Sequence, residues 1–317
     1  MVTKMKKTTI VLIMIILLSA LNPQIILASS ENEKKVVMLI VDNVNYEDLV
    51  NFGGDNIKHI LESSTLGLMN TNTGSGYTDS NAYATIGAGS YAISSAFGNC
   101  SGGYDDTFSL EPLNIVYKRH TGRQMELDNI VNVDISSLRR NNERLNRPVQ
   151  IGLLGSKLNE FGLKTAIIGN ENRSLDEINV NAALITMDEY GKTDMGKVNN
   201  NLLQIDPYAP FGLRTDYAAL YNTYLELKNR ANFIVIQTGD TFRLNKYTYL
   251  SDEAYEENKV KIFNDIDQFL GKILNTLHEE SMLILCVPFP SREDSASGKR
   301  LTPLLIHEKE LTNGILS

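Results

Sequence analysis

Hydroxyls, a carboxylate and a carboxamide come together in Tyr77-Thr78-Asp79-Ser80-Asn81, ahead of a run rich in small residues, Ala82-Tyr83-Ala84-Thr85-Ile86-Gly87-Ala88-Gly89. The first N–H groups of a helix have no internal partner and carry partial positive charge. A hydroxyl placed there can attack, or hold, a phosphate-like anion. The same residue types suit a helix N-cap, and Thr78, Asp79 and Ser80 all qualify. What favours chemistry lies upstream, where Lys34-Lys35 gives way to the apolar run Val36-Val37-Met38-Leu39-Ile40-Val41, which ends at Asp42-Asn43. Such a run reads as a buried strand of a parallel sheet. Open α/β sheets bind ligands beyond the carboxyl ends of their strands, and an acid there is a hard oxygen donor for a divalent metal. Residues 233–239 repeat the pattern and deliver Asp240 to the same edge. Arg243 then either pairs with Asp240 or binds a substrate anion through its planar fork.

These segments resemble the alkaline phosphatase superfamily of phosphatases, sulfatases, nucleotide pyrophosphatases and cofactor-independent phosphoglycerate mutases. Residues 36–42 are similar to its first strand and metal-binding Asp, although Asn43 stands where Gly is usual. Thr78-Asp79-Ser80 with Ala84-Thr85 resembles the nucleophile segment of alkaline phosphatases, which makes Ser80 the nucleophile. Thr-x-x-Asn of the nucleotide pyrophosphatases matches Thr78 and Asn81 instead, making Thr78 the nucleophile and Asn81 the anion-stabilising amide. Gly67-Leu68-Met69-Asn70, residues 207–216, Gly239-Asp240-Thr241-Phe242-Arg243 and Leu301-Thr302-Pro303 look like a bacterial branch of the superfamily. The resemblance implies metal binding by Asp42, Thr78 and Asp240, with Mg, Mn or Zn as the divalent ion, and Arg243 on the substrate.

Two departures concern the metal. Thr241-Phe242-Arg243-Leu244-Asn245 after Asp240 contain no His, and the late strand leads into Val287-Pro288-Phe289-Pro290-Ser291 where an Asp-His pair is usual. Of the four histidines, His59, His120 and His278 suit surface or packing roles, while His307 is the best placed as a ligand. Glu293 and Asp294 are further oxygen donors, but the second metal site looks incomplete.

The chain must also build the elements that position these groups. With 317 residues, 42% of them apolar, it can bury a large core. Strand candidates at 36–41, 65–70, 164–168, 182–187, 233–237, 282–287 and 304–306 alternate with helices at 56–63, 149–161, 215–228 and 253–277. That alternation predicts an α/β fold, a mainly parallel central sheet with helices on both faces. Residues 71–76 form a loop before the nucleophile helix. Residues 101–148, more charged and less periodic, suggest surface helices or an insertion over the site.

A net charge of -8 argues against nucleic acid as a partner. Cys100 and Cys286 match no metal spacing, and Cys286 suits a buried thiol better than a disulfide. Lys4, Lys6 and Lys7, an apolar stretch at 10–21 and Ala28-Ser29-Ser30 read as a secretory signal or membrane anchor over residues 1–28. The domain is then 35–317, shorter at its C-terminus than the related branch. The expected function is an exported metal-dependent hydrolase of phosphate or sulfate esters, secreted or on the outer face of the membrane. It would act on small-molecule or envelope phosphoesters, with membrane association through the N-terminal segment. The alternative is a catalytically impaired anion-binding or envelope-assembly protein that retains the fold.

Overall fold

The apolar run after Lys35 is β1 (Val36–Ile40), and its side chains alternate between two hydrophobic layers. A computed structural model describes residues 34–278 and 280–308. After β1 come α1 (Tyr46–Phe52), α2 (Asp55–Ser63), β2 (Thr65–Asn70) and α3 (Asp79–Ala88). The middle of the chain forms β3 (Ser101–Gly102), β4 (Thr107–Phe108), β5 (Glu111–Pro112), α4 (Leu113–Thr121), β6 (Ile130–Asn132), α5 (Ile135–Glu143) and α6 (Leu153–Glu160). Next are β7 (Thr165–Ile168), α7 (Ala183–Thr186), β8 (Lys192–Thr193), β9 (Met195–Lys197), β10 (Leu203–Ile205) and β11 (Leu213–Thr215). The last elements are α8 (Tyr217–Leu227), β12 (Phe233–Gln237), α9 (Asp240–Lys246), α10 (Asp252–Leu274), β13 (Met282–Cys286), α11 (Arg292–Ala296) and β14 (Leu301–His307).

Seven strands build the central sheet in the order β2-β14-β13-β1-β12-β7-β9. The pairs from β13 through β9 are parallel, while β14 runs antiparallel to both β13 and β2. The chain is thus an α/β protein with a mainly parallel sheet, as its alternating pattern predicts. Val37, Leu39 and Val41 face one layer with α1, α2, α8 and α10. Met38 and Ile40 face the other, with α3, α5 and α7. Strands covered on both faces must be apolar throughout, which is why these read as continuous hydrophobic runs.

Two expected elements differ. Residues 182–187 form not a strand but the one-turn helix α7, wedged between the sheet and α3. A short segment that is apolar on every side is buried in either conformation, so periodicity does not separate the two. The helix expected over 149–161 begins only at Leu153, because Gly152 takes a left-handed φ of 75° and a Cβ there would lie 2.1 Å from the Asp188 carbonyl oxygen. Gly162, at φ 75°, ends it as expected. Residues 101–148 form β3 to β6, α4 and α5, with a small core of their own around Leu113, Val116, Tyr117 and Val131.

The helix α3 sits close to α7. A Cβ on Gly87 would fall 2.0 Å from the Leu184 carbonyl oxygen. Gly87→Ala, which favours an isolated helix by about 1 kcal/mol, is therefore expected to destabilise this protein by about 1–3 kcal/mol through overpacking. Urea unfolding gives the sign.

Candidate functional site

Asp42 follows β1 at the carboxyl edge of the sheet and is 2% exposed. Asn43 takes φ 59°, a left-handed conformation that Asn tolerates better than most residues, so it replaces the usual Gly without breaking the turn. The turn aims two backbone N–H groups, from Asn43 at 2.9 Å and Phe289 at 2.8 Å, at Asp42 Oδ1. The Tyr83 hydroxyl donates to Asp42 Oδ2 at 2.8 Å.

Behind Tyr83 lies a buried polar chain. Its hydroxyl is 3.2 Å from Glu171 Oε1 and accepts from Gln237 Nε2 at 3.3 Å. Asn181 Nδ2 donates to Glu171 Oε2 at 2.9 Å, and Ser80 Oγ donates to Asn181 Oδ1 at 2.6 Å. A phenol has one proton, and the nearer acceptor is Asp42, so the contact with Glu171 needs the carboxyl proton of Glu171. Burial, followed by the Asp42 charge, holds Glu171 well above the usual carboxylate range, which favours its protonated form. Burial and then the charge of Asp79 push Asp42 up to about 7.

Among the described residues, neither candidate nucleophile has a base within hydrogen-bond reach. Thr78 caps α3, its Oγ1 accepting from Asn81 N at 3.3 Å, and it faces solvent. Ser80 gives its proton to a carboxamide, which is no base. Asn81 is occupied at both ends: Nδ2 donates to Ser75 and Gly76 carbonyls, and Oδ1 accepts from Ser94 N at 2.6 Å. That amide closes the loop in front of α3 and has no free edge for an anion.

Asp240 reaches the same edge of the sheet but turns its carboxylate the other way. Oδ1 accepts from Thr215 N at 3.0 Å and from Arg243 Nη2 at 2.7 Å. Arg243, 1% exposed, also donates to Thr215 Oγ1 and to the Asn170 and Asn172 carbonyls. Of the two readings of Arg243, the structure shows the ion pair with Asp240; the guanidinium is sealed from any solvent-borne substrate. Asp42 and Asp240 therefore face opposite layers, one toward Tyr83 of α3 and the other toward β11 and α10.

A divalent ion does not fit this donor set. Hard cations take six or more oxygens, at least one or two of them from carboxylates with lone pairs to spare and the rest from carbonyls or water. Asp42 already accepts three hydrogen bonds, Asp240 is paired, and no group of three or more His, Cys, Asp or Glu suited to a metal lies among the described residues. Asp294 pairs with Lys299 at 2.9 Å. His307 sits opposite Leu283, at the far end of β13 from Asp42, and contacts Ser63.

An ammonium group lies near these acids. Lys246, at the end of α9, lies 2.7 Å from Asp79 Oδ2, while Asn43 Nδ2 donates to Asp79 Oδ1 at 3.3 Å. The ammonium also stands over the rings of Phe242 and Phe289, at 5.1 and 5.7 Å. Beside it opens a cleft of about 390 Å³, lined by Asn245, Lys246, Thr248, Phe289, Arg292 and Ser295 among others. Glu171, Tyr83 and Lys246 are the residues that sequence reasoning missed. Glu171 carried a readable signal, since residues 165–168 form a buried strand followed within three residues by an acid, the pattern that singled out Asp42 and Asp240.

No family model matches the chain, and no curated protein does. Among solved structures, it is similar to the PH0037 protein from Pyrococcus horikoshii, with 12% identity and a TM-score of 0.50 over 89% of this chain and 93% of that one. It is also similar to a protein in the alkaline phosphatase superfamily from Vibrio parahaemolyticus, with 14% identity and a TM-score of 0.51 over 90% of this chain and 63% of that one. The doubly covered sheet, the acid after its central strand and these two likenesses agree on one point: the chain has an alkaline-phosphatase-like fold.

Proposed function

We propose that this protein binds a phosphate- or sulfate-bearing group in the cleft beside α3 and hydrolyses it weakly or not at all. The observation that carries this reading is the complete engagement of Asp42 by Asn43, Phe289 and Tyr83, with the ammonium of Lys246 next to Asp79. Lys246 and Arg292 supply positive charge to the cleft, and the exposed Thr78 hydroxyl at the start of α3 keeps its proton free to donate. The basic, apolar start of the chain supports export, so the bound group would belong to an envelope or extracellular ester. Residues 1–33 lie outside the described part of the structure, within which no helix is long and apolar enough to cross a membrane.

Three measurements test the proposal together. Purified full-length protein is expected to carry no stoichiometric divalent ion and to show no turnover of aryl phosphate or aryl sulfate above background. Inorganic phosphate should bind, and Lys246→Ala should weaken that binding by about tenfold or more, the loss of one charge-assisted contact. Two bound metal equivalents with turnover abolished by Thr78→Ala or Ser80→Ala would overturn the reading and restore the hydrolase.

A further inference from the structure

The segment between β3 and α5 carries a second concentration of positive charge, made by none of the residues of the α3 cleft. A cavity of about 230 Å³ lies between the end of α4 and the first turn of α5, lined by His120, Thr121, Arg123, Ser136, Arg139 and Tyr190 among others. Neither Arg123 nor Arg139 forms an ion pair or donates a side-chain hydrogen bond among the described residues. The Arg123 guanidinium carbon stands over the Tyr190 ring, 3.4 Å from its centroid, which holds the guanidinium at the cavity wall. The His120 ring nitrogen Nδ1 is 2.7 Å from the Val133 carbonyl oxygen, so Nδ1 carries a proton and Nε2 remains for the cavity. One acid, Glu189, lines the space, and its hydrogen bond with the neighbouring Tyr190 phenol, followed by its charge, pushes that phenol up.

On a chain of net charge -8, two guanidinium groups that form no ion pair among the described residues, facing a single carboxylate, form a local exception. Guanidinium forks match the paired oxygens of tetrahedral oxyanions, and they are the donors here, since the hydroxyls of Thr121 and Ser136 already give their protons to the Tyr117 and His120 carbonyls. Ile135, buried at the base of the cavity, and the Tyr190 ring give it an apolar side. We infer that this cavity is a second anion site, one that takes the phosphate or sulfate group of a small ester or the free oxyanion. It stands independently of the proposed function of the α3 cleft.

Calorimetric titration of the full-length protein tests it, with inorganic phosphate in one arm and glycerol phosphate in the other. Two sites are expected. Arg123→Ala combined with Arg139→Ala should remove one of them, weakening it at least tenfold, while Lys246→Ala leaves that site unchanged. Should the double variant fold poorly, Arg139→Gln alone, at an exposed side chain with no partner to lose, should still weaken the site several-fold. Tighter binding of glycerol phosphate than of phosphate identifies an ester as the ligand; equal binding identifies the free ion. Folded arginine variants that titrate like the unaltered protein would overturn the inference.

Discussion

Arg243→Met is expected to destabilise the protein by about 3–5 kcal/mol, the usual cost of leaving one partner of a buried ion pair alone. The guanidinium is 1% exposed and Asp240 3% exposed, so bulk solvent does little to compensate for the loss. Arg243 also donates to Thr215 Oγ1 and to carbonyls of Asn170 and Asn172, tying the ends of β7, β11 and β12 together. Given a total stability of about 5–15 kcal/mol for most domains, the variant should be largely unfolded at moderate temperature. The double variant Arg243→Met with Asp240→Asn removes both charges and should recover a large part of the loss. Urea unfolding of the four proteins in the cycle measures the coupling. A single variant as stable as the parent would show that the pair is solvated and the reading of Arg243 mistaken.

The second large effect is on pH dependence. Burial, and then Asp79, raise Asp42 from 3.8 to about 7 in the folded chain, and Glu171 moves in the same direction. A raised carboxyl means that the native state keeps a proton the unfolded chain has released. Stability from Asp42 is therefore full at acid pH, falls as pH rises from about 4 to about 7 and is level above, the reverse of the usual carboxylate effect, and Glu171 contributes in the same direction. For Asp42 the change is on the order of 4 kcal/mol at 1.36 kcal/mol per unit. The urea midpoint should be higher at pH 5 than at pH 7.5, and Asp42→Asn should flatten that slope. A divalent ion at Asp42 would displace the proton and reverse the trend. Addition of Mg²⁺, Mn²⁺ or Zn²⁺ at pH 7.5 should leave the midpoint where it is.

Much of the fold was legible because parallel strands covered on both faces leave uninterrupted apolar runs. Residues 36–41, 164–168, 233–237 and 282–287 each stand out against flanking polar sequence, and each is a strand of the central sheet. The failure at 182–187 has the same origin, since total burial erases the periodicity that distinguishes helix from strand. The site was less legible. A sequence gives the residue at a strand end but not the direction of its side chain, and Asp42 and Asp240 arrive at one edge facing opposite layers. The role of Asn81 was hidden for a related reason: its partners, the Ser75 carbonyl and the Ser94 N–H, are backbone groups, which every residue carries. Lys246 offered no signal at all, because its meaning lies in its 2.7 Å approach to Asp79, 167 positions earlier.

The order of strands also constrains how the molecule assembles. β2 sits at the sheet edge with β14 as its neighbour, and Thr71 at its end is held by the Arg300 carbonyl, 229 positions away. β1, which carries Asp42, is flanked by β12 and β13, both from the last third of the chain. Contacts so distant in sequence are formed slowly, because long loops must close before any pairing is rewarded. A ribosome-bound chain lacking its last strands leaves β1 with an open edge and β2 with no partner, a state prone to self-association. Refolding should accordingly be slow and concentration-sensitive, with the amides of β2 among the last in the sheet to gain protection from hydrogen exchange.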